Sequence, residues 1–115
     1  MTVDDSKSMR QMVKATLESG GYQVLEAEDG QQALDVLSDQ QVDAVIADVN
    51  MPVMDGITLI GRLRALPQYR LTPLLMLTTE SSAERKQEGR RAGATGWIVK
   101  PFDPDKLLTA LARVV

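Results

Sequence analysis

Residues 44–56, AVIADVNMPVMDG, decide the fold of this 115-residue chain. The first four residues form a continuous apolar run, which is typical of a strand covered on both faces in a parallel sheet. Asp48 then opens a loop that ends at Asp55-Gly56, and a helix is predicted from residue 57 onwards. The stretch therefore predicts a buried strand whose carboxyl end carries an acidic side chain.

The same alternation of apolar runs and amphipathic segments continues in both directions from this stretch. Residues 6–19 place their apolar side chains at helical spacing on one face. Further helices are predicted from Asp29-Gly30, over 57–66, over 81–92 and from Asp103-Pro104. Strands are predicted over 1–3, 24–27, 44–47, 74–77 and 97–99, the first of them very short. Strands that alternate with helices predict an α/β fold with a doubly wound parallel sheet and right-handed crossovers.

The composition excludes several classes of chemistry. The chain has no cysteine and no histidine, so disulfides, thiolate or imidazole metal ligands and a Ser-His-Asp triad are all ruled out. Oxygen ligands remain, and these favour a hard cation such as Mg²⁺. The formal net charge of −3 argues against nucleic acid as a partner. No apolar run approaches the ~18 residues that span a bilayer, and no signal segment is recognisable, so we expect a single cytoplasmic domain without membrane contact.

Polar side chains follow four of the predicted strands, at the edge where ligands of doubly wound sheets bind. These residues are Asp4-Asp5, Asp48, Thr78-Thr79 and Lys100-Pro101. Each residue taken singly is explained at least as well as a cap, a strand-end hydroxyl, a loop residue or a solvated side chain. Two carboxylates about 4 Å apart repel by ~4 kcal/mol at an effective dielectric constant of 20, so three in one crevice call for a cation. The charges of the three acids, one Mg²⁺ and Lys100 sum to zero, which predicts a site for a divalent ion and then an anion.

Four motifs in this order resemble the receiver domains of bacterial two-component signalling. They are Asp4-Asp5-Ser6, residues 48–56, Thr78 and Lys100-Pro101-Phe102. The resemblance covers essentially the whole chain and is greatest to single-domain chemotaxis response regulators of the CheY type. It implies a five-stranded flavodoxin-like, CheY-like (βα)5 fold with strand order 2-1-3-4-5. It also implies that residues 1–115 are one receiver domain with no output domain.

The resemblance implies a chemical role for each residue of the predicted site. Asp48 would be the phospho-accepting nucleophile, and Lys100 and Thr78 would contact the phosphoryl group. The implied cofactor is Mg²⁺, and its implied ligands are Asp5, Asp48 and the backbone carbonyl of Asn50, with Asp4 binding it through water.

Other positions resemble those that transmit or time the signal in this family. Thr78 and Trp97 would form the switch, in which the hydroxyl moves toward the phosphoryl group and the aromatic ring turns inward. Trp97 stands where the family usually has Tyr or Phe, and the alternative is a fixed aromatic that docks a partner. The residues implied to tune the lifetime of the modified state are Asn50, Glu80 and Thr79, and the bulk of Thr79 is expected to slow loading from small donors. Pro101 resembles the family's structural cis-proline.

The implied function is a phosphorylation-activated switch and not an enzyme. The chain would be a monomer that accepts a phosphoryl group from a CheA-like histidine kinase and changes its binding face for a target such as a flagellar motor component. One alternative is a phosphate sink or phosphorelay shuttle. A small phosphatase with an aspartate nucleophile is another, although such enzymes commonly carry Asp-x-Asp where this chain has Asn50. A third alternative is an unphosphorylated interaction module that kept the fold.

Overall fold

The computed structural model describes all 115 residues, and its five strands form one parallel sheet. The strands are β1 (Thr2–Val3), β2 (Glu26–Ala27), β3 (Val45–Ala47), β4 (Leu74–Thr78) and β5 (Gly96–Val99). Their order is β2-β1-β3-β4-β5, as the resemblance to receiver domains implied. The helices are α1 (Lys7–Ser19), α2 (Gly30–Asp39), α3 (Gly56–Arg64), α4 (Ala83–Ala92) and α5 (Pro104–Val114). A short 3-10 helix, Pro67–Tyr69, follows α3, and no helix is both long enough and apolar enough to cross a bilayer.

Every α-helix begins at a side chain that accepts a hydrogen bond from a backbone N–H of the first turn. Such a cap satisfies a donor that has no partner within the helix. The five capping residues are Ser6, Asp29, Asp55, Ser82 and Asp103. Pro104 occupies the first turn of α5, where its missing N–H costs nothing. Local chemistry in the sequence therefore sets where each helix starts.

The sheet separates two hydrophobic layers. The layer on the side of α2 and α3 contains Leu37, Leu59 and Met76, and the layer on the side of α1 and α5 contains Val13 and Leu111. Full burial of one such side chain contributes about 1.5–3 kcal/mol. Helix α4 differs from the others because Gly89 is its only buried residue.

Most element boundaries differ from the prediction by one or two residues, and differences of two residues occur at β2 and α3. β2 covers Glu26–Ala27 and not 24–27. Its only neighbouring strand is β1, which has two residues, so only two residues of β2 can pair with it. The predicted helix over 57–66 ends at Arg64. The Arg64 guanidinium donates hydrogen bonds to the carbonyls of Tyr69 and Thr72, both at 2.7 Å, and so holds the following connection against the end of α3.

The register aligns the carboxyl ends of β1, β2 and β3, and the predicted acidic residues follow β1 and β3. Val3 pairs with Ala27 on one side and with Ala47 on the other, and Ala47 pairs with Met76. The residue after Val3 and the residue after Ala47 therefore emerge side by side from the sheet.

Candidate functional site

The acidic residues after β1 and β3 meet the lysine after β5 at one edge of the sheet. The Lys100 ammonium donates to Asp4 Oδ2 at 2.8 Å and to Asp48 Oδ2 at 3.0 Å. One carboxylate oxygen from each of Asp4, Asp5 and Asp48 lies within 4.8 Å of the others. The structure thus brings together the four charged residues that the sequence analysis placed at this edge.

The backbone around the two buried acids is fixed by the sheet and by α1. The Asp48 N–H donates to the carbonyl of Val3 at 2.9 Å, and the Asp4 N–H donates to the carbonyl of Ala27 at 3.1 Å. Asp4 Oδ1 also accepts from the backbone N–H of Ser6 at 2.9 Å. Asp5 is exposed and makes no hydrogen bond or ion pair, so its carboxylate is free to bind a ligand.

Lys100 is a charged group at neutral pH in spite of its burial. Burial acts to lower the pKa of Lys100, but the hydrogen bonds and negative charges of Asp4 and Asp48 outweigh it, so the pKa of Lys100 is raised above its ordinary value. The Lys100 N–H donates to the carbonyl of Thr78 at 2.8 Å, and the Lys100–Pro101 peptide bond is cis. The backbone hydrogen bond to Thr78 fixes Lys100 beside the end of β4, and its ammonium contacts the two buried carboxylates.

Thr78 lies at the carboxyl end of β4 and makes no side-chain hydrogen bond to Asp4, Asp5 or Asp48. It is fully buried, and its hydroxyl oxygen accepts from the backbone N–H of Glu80 at 3.2 Å. The Glu80 carbonyl in turn accepts from the indole N–H of Trp97 at 2.9 Å. The peptide groups of Glu80 therefore connect the Thr78 hydroxyl to the Trp97 ring.

Trp97 is half-buried, and its ring lies against α4 at Gly89. A Cβ atom added to Gly89 would lie 2.7 Å from Cζ3 of the indole, so only a glycine fits at that position with the ring where it is. The indole N–H has a partner, as a buried tryptophan requires. Trp97 thus joins the loop after β4 to the only buried residue of α4.

The loop after Asp48 returns closely to the strand from which it leaves. The Gly56 N–H donates to the carbonyl of Val49 at 2.8 Å, and a Cβ atom at Gly56 would overlap the backbone of Asp48. Asn50 is exposed in this loop, and Val53 adopts a positive φ of 69°. The requirement for glycine at position 56 is a feature that the sequence analysis did not identify.

Arg10 is a second residue that the sequence analysis missed. Its guanidinium is buried in α1 and donates to the backbone carbonyl of Asp4 at 2.7 Å. A signal was present in the sequence, because Arg10 precedes Val13 by three residues and Leu17 by seven. These spacings place it on the buried face of the helix, where an unpaired arginine is rare.

The donor set fits a small hard cation. Three carboxylates offer oxygen ligands, which suit Mg²⁺, and the chain has no histidine or cysteine to add a nitrogen or sulfur ligand. Lys100 offsets the charge of Asp4 and Asp48, and Asp5 remains unpaired. The structure therefore forms an acidic pocket in which a divalent cation has ligands and a phosphoryl anion has an ammonium partner.

Comparison with known proteins assigns the family. A family model described as the response regulator receiver domain matches residues 1–112. The chain belongs to the response regulator receiver domain family, whose members are phosphorylation-activated switches of two-component signalling. The strand order and the acidic pocket agree with this class.

Within the family, the chain is similar to chemotaxis proteins of the CheY type. It is 40% identical over 117 residues to the chemotaxis protein CheY homolog of Campylobacter jejuni, which covers 100% of this chain and 90% of that protein. It is also 40% identical to chemotaxis protein CheY1 of Helicobacter pylori, with coverage of 100% and 94%. The solved structure of CheY4 from Vibrio cholerae is 54% identical, has a TM-score of 0.95 and covers 99% of this chain and 95% of that one.

A further solved structure bears on the acidic pocket. The receiver domain of the sensor histidine kinase PA1611 from Pseudomonas aeruginosa has a magnesium ion coordinated in its active site cleft. It is 30% identical, has a TM-score of 0.91 and covers 98% of this chain and 93% of that one.

Proposed function

We propose that Asp48 accepts a phosphoryl group from the phosphohistidine of a CheA-like kinase, and that this modification controls a protein contact in chemotaxis. The observation that carries the proposal is the Asp48 carboxylate, held by Lys100 at 3.0 Å beside Asp4 and Asp5. The similarity to CheY proteins supports the assignment to chemotaxis.

In the proposed step, a carboxylate oxygen of Asp48 attacks phosphorus and forms an O–P bond. The P–N bond of the donor breaks, and its electron pair stays with the imidazole nitrogen, which takes up a proton. When bound, Mg²⁺ neutralises charge on the transferring phosphoryl oxygens. Asp5, Asp48 and the backbone carbonyl of Asn50 would hold that ion, with Asp4 acting through water.

Lys100 and Thr78 would receive the new phosphoryl group. Lys100 contacts Asp48 before transfer, so a small movement of the ammonium lets it pair with a phosphoryl oxygen. The Thr78 oxygen accepts from Glu80, which leaves its own O–H free to donate to the phosphoryl group. Both residues would therefore sense the modification directly.

The signal would pass from Thr78 to α4 and β5 through Glu80. A shift of the Thr78 hydroxyl displaces the Glu80 peptide groups, and these also hold the Trp97 indole at 2.9 Å. Helix α4 buries only Gly89, so little packing energy opposes its movement. We infer that the face formed by α4 and β5 binds a target protein, such as a flagellar motor component, in one state only.

The protein is a signalling protein of the receiver family, and its own chemistry would be limited to gaining and slowly losing the phosphoryl group. Asn50, Glu80 and Thr79 would tune the lifetime of that group. We propose that it acts in the cytoplasm as a monomer. A phosphate sink or a phosphorelay shuttle would use the same acceptor chemistry and differs only in lacking a dedicated target.

The test is to incubate the protein with Mg²⁺ and acetyl phosphate and to locate the added mass by peptide mass spectrometry. We expect one phosphoryl group per chain, on Asp48, and consumption of the donor no faster than the slow loss of that group. The variant Asp48→Asn should remain unlabelled, and Asp39→Asn, which changes an aspartate at the end of α2, should be labelled as the parent is. Rapid repeated turnover of the donor without accumulation of labelled protein would indicate a phosphatase, and no labelling in folded protein would indicate an interaction module.

A further inference from the structure

Arg10 carries a buried positive charge that the proposed chemistry does not use. Its exposed fraction is only 8%, although arginine is almost never buried without partners. The Nη1 group donates to the Asp4 carbonyl at 2.7 Å, Nε lies 3.4 Å from Glu26 Oε1, and Nη2 lies 3.9 Å from Glu28 Oε1. Arg10 therefore ties α1 to the backbone of the acidic pair and to the end of β2.

The contact with the Asp4 carbonyl constrains the next residue. A peptide group is planar, so a guanidinium that holds the Asp4 carbonyl also fixes the orientation of the Asp5 N–Cα bond. Asp4 is held in addition through its N–H and through both of its carboxylate oxygens. Asp5 has no hydrogen bond of its own, so its position depends on the peptide group that Arg10 holds.

We propose that Arg10 is a positioning residue that places the Asp5 carboxylate for divalent-cation binding. This inference rests on the proposed function only in taking the acidic pocket as the Mg²⁺ site. Arg10 would act through the backbone and would not touch the ion. Outer groups that orient metal ligands commonly change metal affinity by about 10- to 100-fold when they are removed.

Simple electrostatics predicts the opposite effect. Arg10 is a positive charge next to a cation site, so removing that charge should strengthen Mg²⁺ binding. If Arg10 positions Asp5, its removal should weaken Mg²⁺ binding. The direction of the change in affinity therefore separates the two effects.

The test is calorimetric titration of the full chain with Mg²⁺, which requires no phosphoryl transfer. We expect Arg10→Gln to raise the Mg²⁺ dissociation constant by about 10-fold or more. Arg10→Lys keeps the charge but loses the planar fork, and we expect it to weaken binding as well. The matched control is Lys14→Gln, because Lys14 lies 3.5 Å from Glu26 Oε2 but does not contact Asp4. That variant should bind Mg²⁺ as the parent does, or slightly more tightly.

A second measurement separates positioning from general damage to the fold. With acetyl phosphate as the donor, the labelling rate of Arg10→Gln should approach that of the parent at saturating Mg²⁺, because only the affinity is lowered. If Arg10→Gln does not fold, Arg10→Lys decides the question by the same titration. Unchanged or tighter binding in the folded variant overturns the inference. A parent protein that binds no Mg²⁺ contradicts the proposed function instead.

Discussion

At the scale of single residues, Val53 has a backbone conformation that is unfavourable for a β-branched side chain. Its φ of 69° lies in the left-handed region, which β-branched residues rarely adopt. The side chain is 81% exposed, so the burial of apolar surface offsets little of the free-energy cost of this backbone conformation. The apolar and β-branched character of Val53 did not predict a left-handed residue in this loop.

Replacement of Val53 by asparagine should stabilise the protein. The left-handed conformation costs a non-glycine residue roughly 1–2 kcal/mol, and asparagine tolerates it better. We expect Val53→Asn to raise the free energy of unfolding in urea by about 1 kcal/mol. Val53→Ile keeps the β-branch and should give no gain. A Val53→Asn variant no more stable than Val53→Ile would contradict this account.

Because of Lys100, the stability of the folded protein should decrease at alkaline pH. Its pKa in the folded protein is raised above the ordinary value of 10.5, so the folded state binds the proton more tightly than the unfolded state does. The resulting stabilisation is fully present below the pKa that Lys100 has in the unfolded chain. It is lost as the pH rises through the pKa that Lys100 has in the folded protein. We therefore expect the stability of the parent to fall with pH above 10.5 more steeply than that of Lys100→Met. Urea unfolding of both proteins at several alkaline pH values measures the difference, and parallel curves would rule out this role.

At the scale of elements, α4 differs from the other helices because it has almost no apolar face. Its residues are mainly charged, and Gly89 is the only one that is buried. Its C-terminal end is fixed by Gly93, which has a φ of 112° and whose carbonyl accepts from Arg64 at 3.0 Å. The sequence predicted both the helix and its weak packing, but not the contact between Gly89 and Trp97.

Two glycines in helices allow that contact to be tested. An alanine at Gly61 in α3 would meet no atom within 4 Å, so Gly61→Ala should stabilise the protein by about 1 kcal/mol through helix propensity. An alanine at Gly89 would meet the Trp97 ring at 2.7 Å, so the same gain should be reduced or reversed. The emission of Trp97 should also shift in Gly89→Ala only. Equal stabilisation and unchanged emission in both variants would mean that the ring does not pack against α4 in solution.

At the scale of the whole molecule, the candidate site belongs to no single element. Its charged residues follow β1, β3 and β5, and they meet only because these strands are parallel and in register. The three carboxylates repel one another, and this repulsion acts to separate the strand ends. A bound divalent cation would reduce the repulsion. Cation binding and overall stability should therefore be coupled.

Mg²⁺ should raise the unfolding temperature of the parent protein. A ligand that binds only the folded state at 100 times its dissociation constant adds about 2.7 kcal/mol of stability. Asp5→Asn should lose most of this gain and should itself be slightly more stable than the parent in EDTA, because one like charge is gone. Thermal scans in Mg²⁺ and in EDTA at matched ionic strength test both changes. A gain in Asp5→Asn equal to that of the parent would show that the stabilising ion binds elsewhere.

The sequence by itself determined the order of the elements, because apolar periodicity and the capping residues act over a few neighbouring positions. It also determined which side chains reach one edge, since residues such as Asp48 and Lys100 directly follow parallel strands or end them. Only the tertiary structure decided that Arg10 holds the Asp4 carbonyl and that Trp97 bonds to Glu80. Those contacts depend on how far each helix or loop lies from the sheet and on how its side chains are turned, and packing of the whole chain sets both.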